Sequence, residues 1–240
     1  MRIIISLCLF LLLWSSSVHA DEGMTPAELE NWFEQDKVFS TDQVSEGELR
    51  FITQMPDKPV LHSLNKLEIA LSSIDDGWVS LSQCYQNLDP VAVSEVVYQY
   101  KSMRDLTITK ITNINRAEIK GQSIELTKVQ KEAELCISAR VRILYQNADG
   151  SYSLENGPFH RKFLDGYFPY HLTLEVHYPA SRLQVQHTDP AEQPGLIIKL
   201  YKGHLLFDGI FEGILNVEVV FQARYQNFDG KKSPNGNIRN

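Results

Sequence analysis

Cysteine is the scarcest chemistry-bearing residue in this chain: three in 240 residues, Cys8, Cys84 and Cys136. No Cys-x-x-Cys pair occurs, which removes the usual spacing of a redox-active dithiol and of an attached haem. Long apolar runs are missing too. The longest, Ile3 to Trp14, falls well short of the ~20 residues that a membrane-spanning helix needs. Cationic clusters are absent: 23 Lys and Arg stand against 30 Asp and Glu, for a formal charge of −7. With no basic face or polybasic stretch, nucleic acid and anionic lipid are set aside as partners. There is no Gly-x-Ser-x-Gly elbow, no His-Glu-x-x-His and no Gly-rich phosphate loop. Asn-x-Ser/Thr acceptors are also lacking, so nothing marks a glycosylated secretory product.

The N-terminus gives those absences a setting. A basic Met1-Arg2 start, the apolar run and a polar Ser15 to Ala20 stretch ending in small residues form the layout of a secretory signal peptide. Val18 and Ala20 fit cleavage before Asp21, which predicts an exported protein with residues 1–20 removed. The bacterial periplasm is the expected location, with release to the medium as the second choice. Cleavage removes Cys8. In an oxidising compartment the two remaining thiols have a single intramolecular pairing, so a Cys84–Cys136 disulfide is expected.

Beyond the leader, residues 21–48 read as an acidic helix and linker. Thr25, Pro26 and Glu28 make a start signal, and Leu29, Trp32 and Phe33 share one face of a helix over 24–36. From 49 to 223 nearly every segment has strand character. Tyr170, Leu172, Leu174, Val176 and Tyr178 alternate with polar residues, as do Leu135, Ile137, Ala139, Val141 and Ile143. Shorter runs read as strands at 67–71, 79–85, 93–100, 106–114, 196–200 and 205–214. Turn chemistry separates them at Asp76-Gly77, Asp149-Gly150, Asn156-Gly157, Asp165-Gly166, Lys202-Gly203 and Asp208-Gly209. The fold class expected is all-β: an antiparallel β-sandwich, either one large one or two packed immunoglobulin-like ones whose halves meet near 147–160, with the short N-terminal helix. Residues 224–240 carry no apolar stripe and read as a flexible tail.

A Tyr-Gln-Asn-x-Asp sequence recurs at 85–89, 145–149 and 225–229. It reads either as a duplicated unit or as turn-forming Asn and Asp after strand ends. The most loaded segment is 157–171, read as a loop between two strand regions. Phe159, His160, Arg161, Asp165, Tyr167, Phe168 and His171 are its candidate ligand-binding residues, able to stack on and hydrogen-bond a sugar ring or a peptide. No catalytic residue, metal site or cofactor is implied. His171, Glu175 and His177 share a strand face, but His171 and His177 are ~20 Å apart at ~3.3 Å per residue. Only Glu175 and His177, joined by His160, His187 or His204 from elsewhere, could share an ion; a solvated strand face is the expectation. The acidic pairs Asp75-Asp76 and Asp208 with Glu212 read as turn residues. The expected function is a non-catalytic binding or accessory protein of the bacterial envelope, contacting another envelope protein through a sheet edge or the aromatic segment. The alternatives are a carbohydrate or small-ligand module centred on 157–171, and a hydrolase whose carboxylates converge only in the fold.

Overall fold

The computed structural model describes residues 47–54, 56–164 and 166–224. The expected leader, the 24–36 helix, the tail from 225 on and Asp165 lie outside them. In chain order the elements are β1 (Arg50–Phe51), β2 (Leu61–Glu68), α1 (Ser73–Asp76), β3 (Trp78–Leu88), β4 (Val93–Val97), β5 (Met103–Lys120), β6 (Ser123–Arg142), β7 (Leu144–Gln146) and β8 (Tyr152–Phe159). They continue with β9 (Arg161–Phe163), β10 (Gly166–Phe168), β11 (Tyr170–His177), β12 (Leu183–Asp189), β13 (Leu196–Tyr201), β14 (His204–Glu212) and β15 (Leu215–Ala223). The fold is all-β, as the alternation predicts. Among the described residues α1 is the lone helix, a single turn closed by Gly77 in the left-handed region, and none is long and apolar enough to cross a membrane.

Two sheets share one hydrophobic core. The larger runs β1-β14-β11-β2-β3-β6-β4, with β13 added to β14 and β5 to β6; the smaller runs β12-β15-β8-β7. Alternation decides which side chains face the core. In β11, Tyr170, Leu172, Leu174 and Val176 are buried while His171, Thr173, Glu175 and His177 point away. In β2 the inward set is Leu61, Ser63, Asn65 and Leu67, so this strand carries two polar groups into the core. All pairs are antiparallel except β2 with β11, which run parallel. A parallel neighbour needs a long crossover, and residues 69–169 supply it.

Three departures from the sequence reading have local causes. Asp208-Gly209 is not a turn but the middle of β14: a Cβ on Gly209 would lie 2.8 Å from the Gly195 carbonyl, so glycine answers a close backbone approach. Asn156-Gly157 likewise continues β8, and the 157–171 segment is largely strand, with β9 and β10 forming a hairpin. The ribbon of β5 and β6 is far longer than the expected 106–114 strand. Asp105, Asn113, Lys128 and Glu132 take positive φ there, and register shifts at Asp105, near Lys110 and at Asn113 opposite Glu132 break the alternation.

Cys84 and Cys136 face each other across β3 and β6, with Cα atoms 4.0 Å apart, and form the expected disulfide. The Tyr-Gln-Asn-x-Asp sequence does not fold one way. At 85–89 it is the end of β3, with Asp89 reaching Arg161; at 145–149 it opens the β7–β8 hairpin, with Asp149 accepting from the Ser151 amide and hydroxyl. The third copy lies outside the described residues.

Candidate functional site

Where β3 runs on into β4, the larger sheet extends beyond the end of β2, and a cavity of about 260 Å³ opens between β4 and the β8–β9 junction. Its polar lining comes from inward positions that alternation alone marks as core. Tyr85 and Gln83 come from β3, Tyr98 and Tyr100 from the segment after β4, and Tyr170 from the start of β11. The Gln83 amide donates to Ser63 Oγ at 3.0 Å, as does Asn65 at 2.9 Å. Gln83 Oε1 is buried and has no hydrogen-bond partner among the described residues. The Tyr100 hydroxyl donates to Asn156 Oδ1 at 2.8 Å. Burial pushes the Tyr85, Tyr98, Tyr100 and Tyr170 phenols above their ordinary range, so all four stay protonated hydrogen-bonding groups at any physiological pH.

The loaded segment forms the opposite wall. Phe159 is buried, and His160, Arg161 and Lys162 line the cavity. Burial, then the nearby Lys162, lowers the His160 pKa, and its Nδ1 is buried without a partner among the described residues. Arg161 is already committed. Its Nε donates to Asp89 Oδ2 at 2.9 Å, Nη2 donates to Asp89 Oδ1, and its guanidinium lies 5.6 Å from the Phe168 ring centre. Tyr167 packs edge-on against His160 at 5.9 Å and under the Lys162 ammonium at 5.6 Å. The structure therefore brings Phe159, His160, Arg161, Tyr167 and Phe168 together, while Asp165 lies outside the described residues. His171 goes elsewhere: one residue past Tyr170 on β11, it faces the other side of the sheet. Gln83, Tyr85, Tyr98 and Tyr100 escape sequence reasoning because they sit on strands far from 157–171.

That outer face carries two histidine groups. His62 and His171, paired in register, stack at 3.8 Å; His62 Nε2 meets Thr173 Oγ1 at 2.9 Å, and His171 Nε2 meets Asp208 Oδ1 at 2.9 Å. Thr173 also donates to Asp208 at 2.7 Å, so this network is closed on itself. Burial, then the neighbouring His171, lowers the His62 pKa to about 4, against an opposing pull from Asp208. Below pH ~6.5 the unfolded chain takes up a proton at His62 that the folded chain refuses until pH ~4. Stability contributed by this ring is thus whole above ~6.5 and falls with pH between those limits, by on the order of 1 kcal/mol once solvent screening is allowed for. Urea midpoints at pH 7.5 and 5 measure this: the wild type should lose more than His62→Gln, and equal losses would refute it. The second group is Glu175, His177 and His204. The other acids are separate, with Glu212 paired to Arg50 at 2.5 Å and Asp76 accepting from the Trp78 amide.

No protein-family model and no curated protein matches the chain. Among solved structures, it is similar to a mutant M1 zinc metallopeptidase from Deinococcus radiodurans bound to a Tyr-Ser-Ala substrate, at 12% identity and a TM-score of 0.38 over 68% of this chain. A mutant two-domain M1 zinc metallopeptidase bound to L-tryptophan gives 12% identity and a TM-score of 0.37 over the same share. The chain spans about two-fifths of the length of these structures (41% and 42%). At this level of likeness nothing about activity passes from those enzymes to this protein.

Proposed function

We propose that this protein is a non-catalytic binding protein, acting outside the cytoplasm, that takes a small, neutral, hydroxyl-rich ligand such as a sugar into the tyrosine-lined pocket. The observation that carries this reading is the polar lining of one cavity, Gln83 with Tyr85, Tyr98, Tyr100 and Tyr170, where Gln83 Oε1 is buried without a hydrogen-bond partner among the described residues. Leaving such a group unpaired is costly, and a small turn of the Gln83 side chain toward the cavity would let a ligand hydroxyl satisfy it. The balanced charges among the lining residues argue for neutrality. Arg161 is held by Asp89, and Glu95 and Lys162 add one charge of each sign. The cavity falls just below the ~300–1,000 Å³ of typical small-molecule sites, which favours a ligand of one ring. The leader-like layout of residues 1–20 supports the location proposal, as does a disulfide suited to an oxidising compartment.

Calorimetric titration with a panel of neutral saccharides and polyols tests this. Gln83→Leu should weaken binding by roughly 10- to 100-fold, the loss of one buried hydrogen bond or more. It should change unfolding stability by less than about 1 kcal/mol, since the variant also removes an unpaired acceptor. Binding of no panel member by the wild type, or equal binding by the variant, overturns the reading.

A second reading has its own observation. β4 ends the larger sheet with Val93 and Val97 exposed (63% and 58%), an edge to which a strand of a partner envelope protein could add. Val93→Lys separates the two readings: it should abolish partner crosslinking and leave saccharide binding intact, because Val93 does not line the cavity. A hydrolase reading would have to use Asp208 with His171 or Glu175 with His177, carboxylate–imidazole pairs that the fold joins; none of these four lines the pocket.

A further inference from the structure

We propose that Glu175, His177 and His204 form a site for one divalent first-row transition cation of the zinc class, on the sheet face opposite the tyrosine pocket. The placement follows from register. Glu175 and His177 are two apart on β11 and so share a face; His204, the first residue of β14, stands directly opposite His177. The tight turn at Lys202-Gly203 delivers His204 to that point, with Gly203 at φ +78 where a side chain would be strained.

The three ligand atoms converge. His177 Nε2 lies 3.1 Å from Glu175 Oε2 and His204 Nε2 lies 3.8 Å from the same oxygen; all three ligand atoms are within 4.8 Å of one another. Ligands about 2.0–2.1 Å from a tetrahedral zinc stand ~3.3 Å apart, so small side-chain rotations suffice. The two imidazoles lie nearly parallel, 4.5 Å between centres, and the Tyr201 ring stacks on the far side of His204 at 5.6 Å, which fixes its orientation.

Two contrasts single out this group. His204 Nε2 is buried and has no hydrogen-bond partner among the described residues, whereas the ligand atoms of His62, His171 and Asp208 are all engaged in their own network. The surroundings are also balanced for a cation. On the neighbouring β2, Glu68 pairs with His177 and Lys66 with Glu175, the two tied to each other at 2.7 Å, so one further charge of each sign flanks the group. Two imidazoles and one carboxylate are a borderline donor set that favours zinc, copper or nickel over magnesium or calcium. Three protein ligands on a half-exposed face leave a coordination position open to solvent or to a further ligand.

Calorimetric titration of Zn²⁺ into the chelator-treated full-length protein tests the proposal. One zinc per chain is expected, with binding weakened roughly tenfold or more in both His177→Gln and His204→Gln. His171→Gln should bind zinc as the wild type does, and far-UV circular dichroism should report folded protein in every variant. Co²⁺ gives a second readout, a visible absorption band of a low-coordinate site that His204→Gln loses. The proposal is overturned if the wild type takes up no stoichiometric zinc, if His204→Gln binds zinc unchanged, or if His171→Gln is the variant that loses it.

Discussion

Breaking the Cys84–Cys136 bond should lower the unfolding free energy by about 2–5 kcal/mol, the range typical of native disulfides in exported domains. The bridge closes a loop of 52 residues, for which restriction of the unfolded chain alone is worth roughly 4 kcal/mol. Its position adds to the effect. The loop it closes contains β4, the Tyr98–Tyr100 segment and the whole β5–β6 turn, so the bond ties the pocket's outer wall to the central strands β3 and β6. Urea unfolding of Cys84→Ala/Cys136→Ala beside the oxidised wild type measures it. An unchanged midpoint would mean that pairing of β3 with β6 holds this region without help.

Phe211→Ala should cost about 3–5 kcal/mol, the usual loss for a large buried aromatic. Phe211 is fully buried on β14, opposite Tyr170 on β11 and Phe51 on β1, with ring centres 5.4 and 6.2 Å away. Through it three strands meet, and one of its neighbours, Tyr170, lines the cavity. The cavity left by alanine would therefore also loosen the pocket floor. Phe211→Leu, which keeps most of the volume, should lose far less. A cost below about 1 kcal/mol for alanine would show that the site collapses and that these rings do not anchor one another.

Strand patterning made most of this fold legible. The alternation over 170–178 marks β11 to within one residue, and the turns at Gly77, Gly150 and Gly203 fall where Asp-Gly and Lys-Gly pairs put them. Illegible parts have physical reasons. Glycine serves both turns and close approaches, so Gly209 in β14 looks the same in sequence as Gly203 in a hairpin. Irregular residues at positive φ hide the length of β5 and β6, because each bulge resets the period of two. The aromatic segment pointed to one wall of the pocket through Phe159, His160 and Arg161. The other wall could not be read, since Gln83 and Tyr85 have the spacing of an ordinary buried strand face, and their polar ends gain meaning only beside a cavity. Joining Glu175 and His177 to His204 required the β11–β14 register, which no local pattern encodes.

The measurement that bears most directly on ligand capture is solution NMR of the protein with labelled Gln, Tyr, His and Thr side chains, titrated with the panel saccharide that binds most tightly. Movement of the Gln83 side-chain amide and the Tyr98 and Tyr100 ring signals, with His62, His171 and Thr173 on the opposite face unmoved, is the expected result. Shifts confined to that opposite face, or none near Gln83, would contradict it.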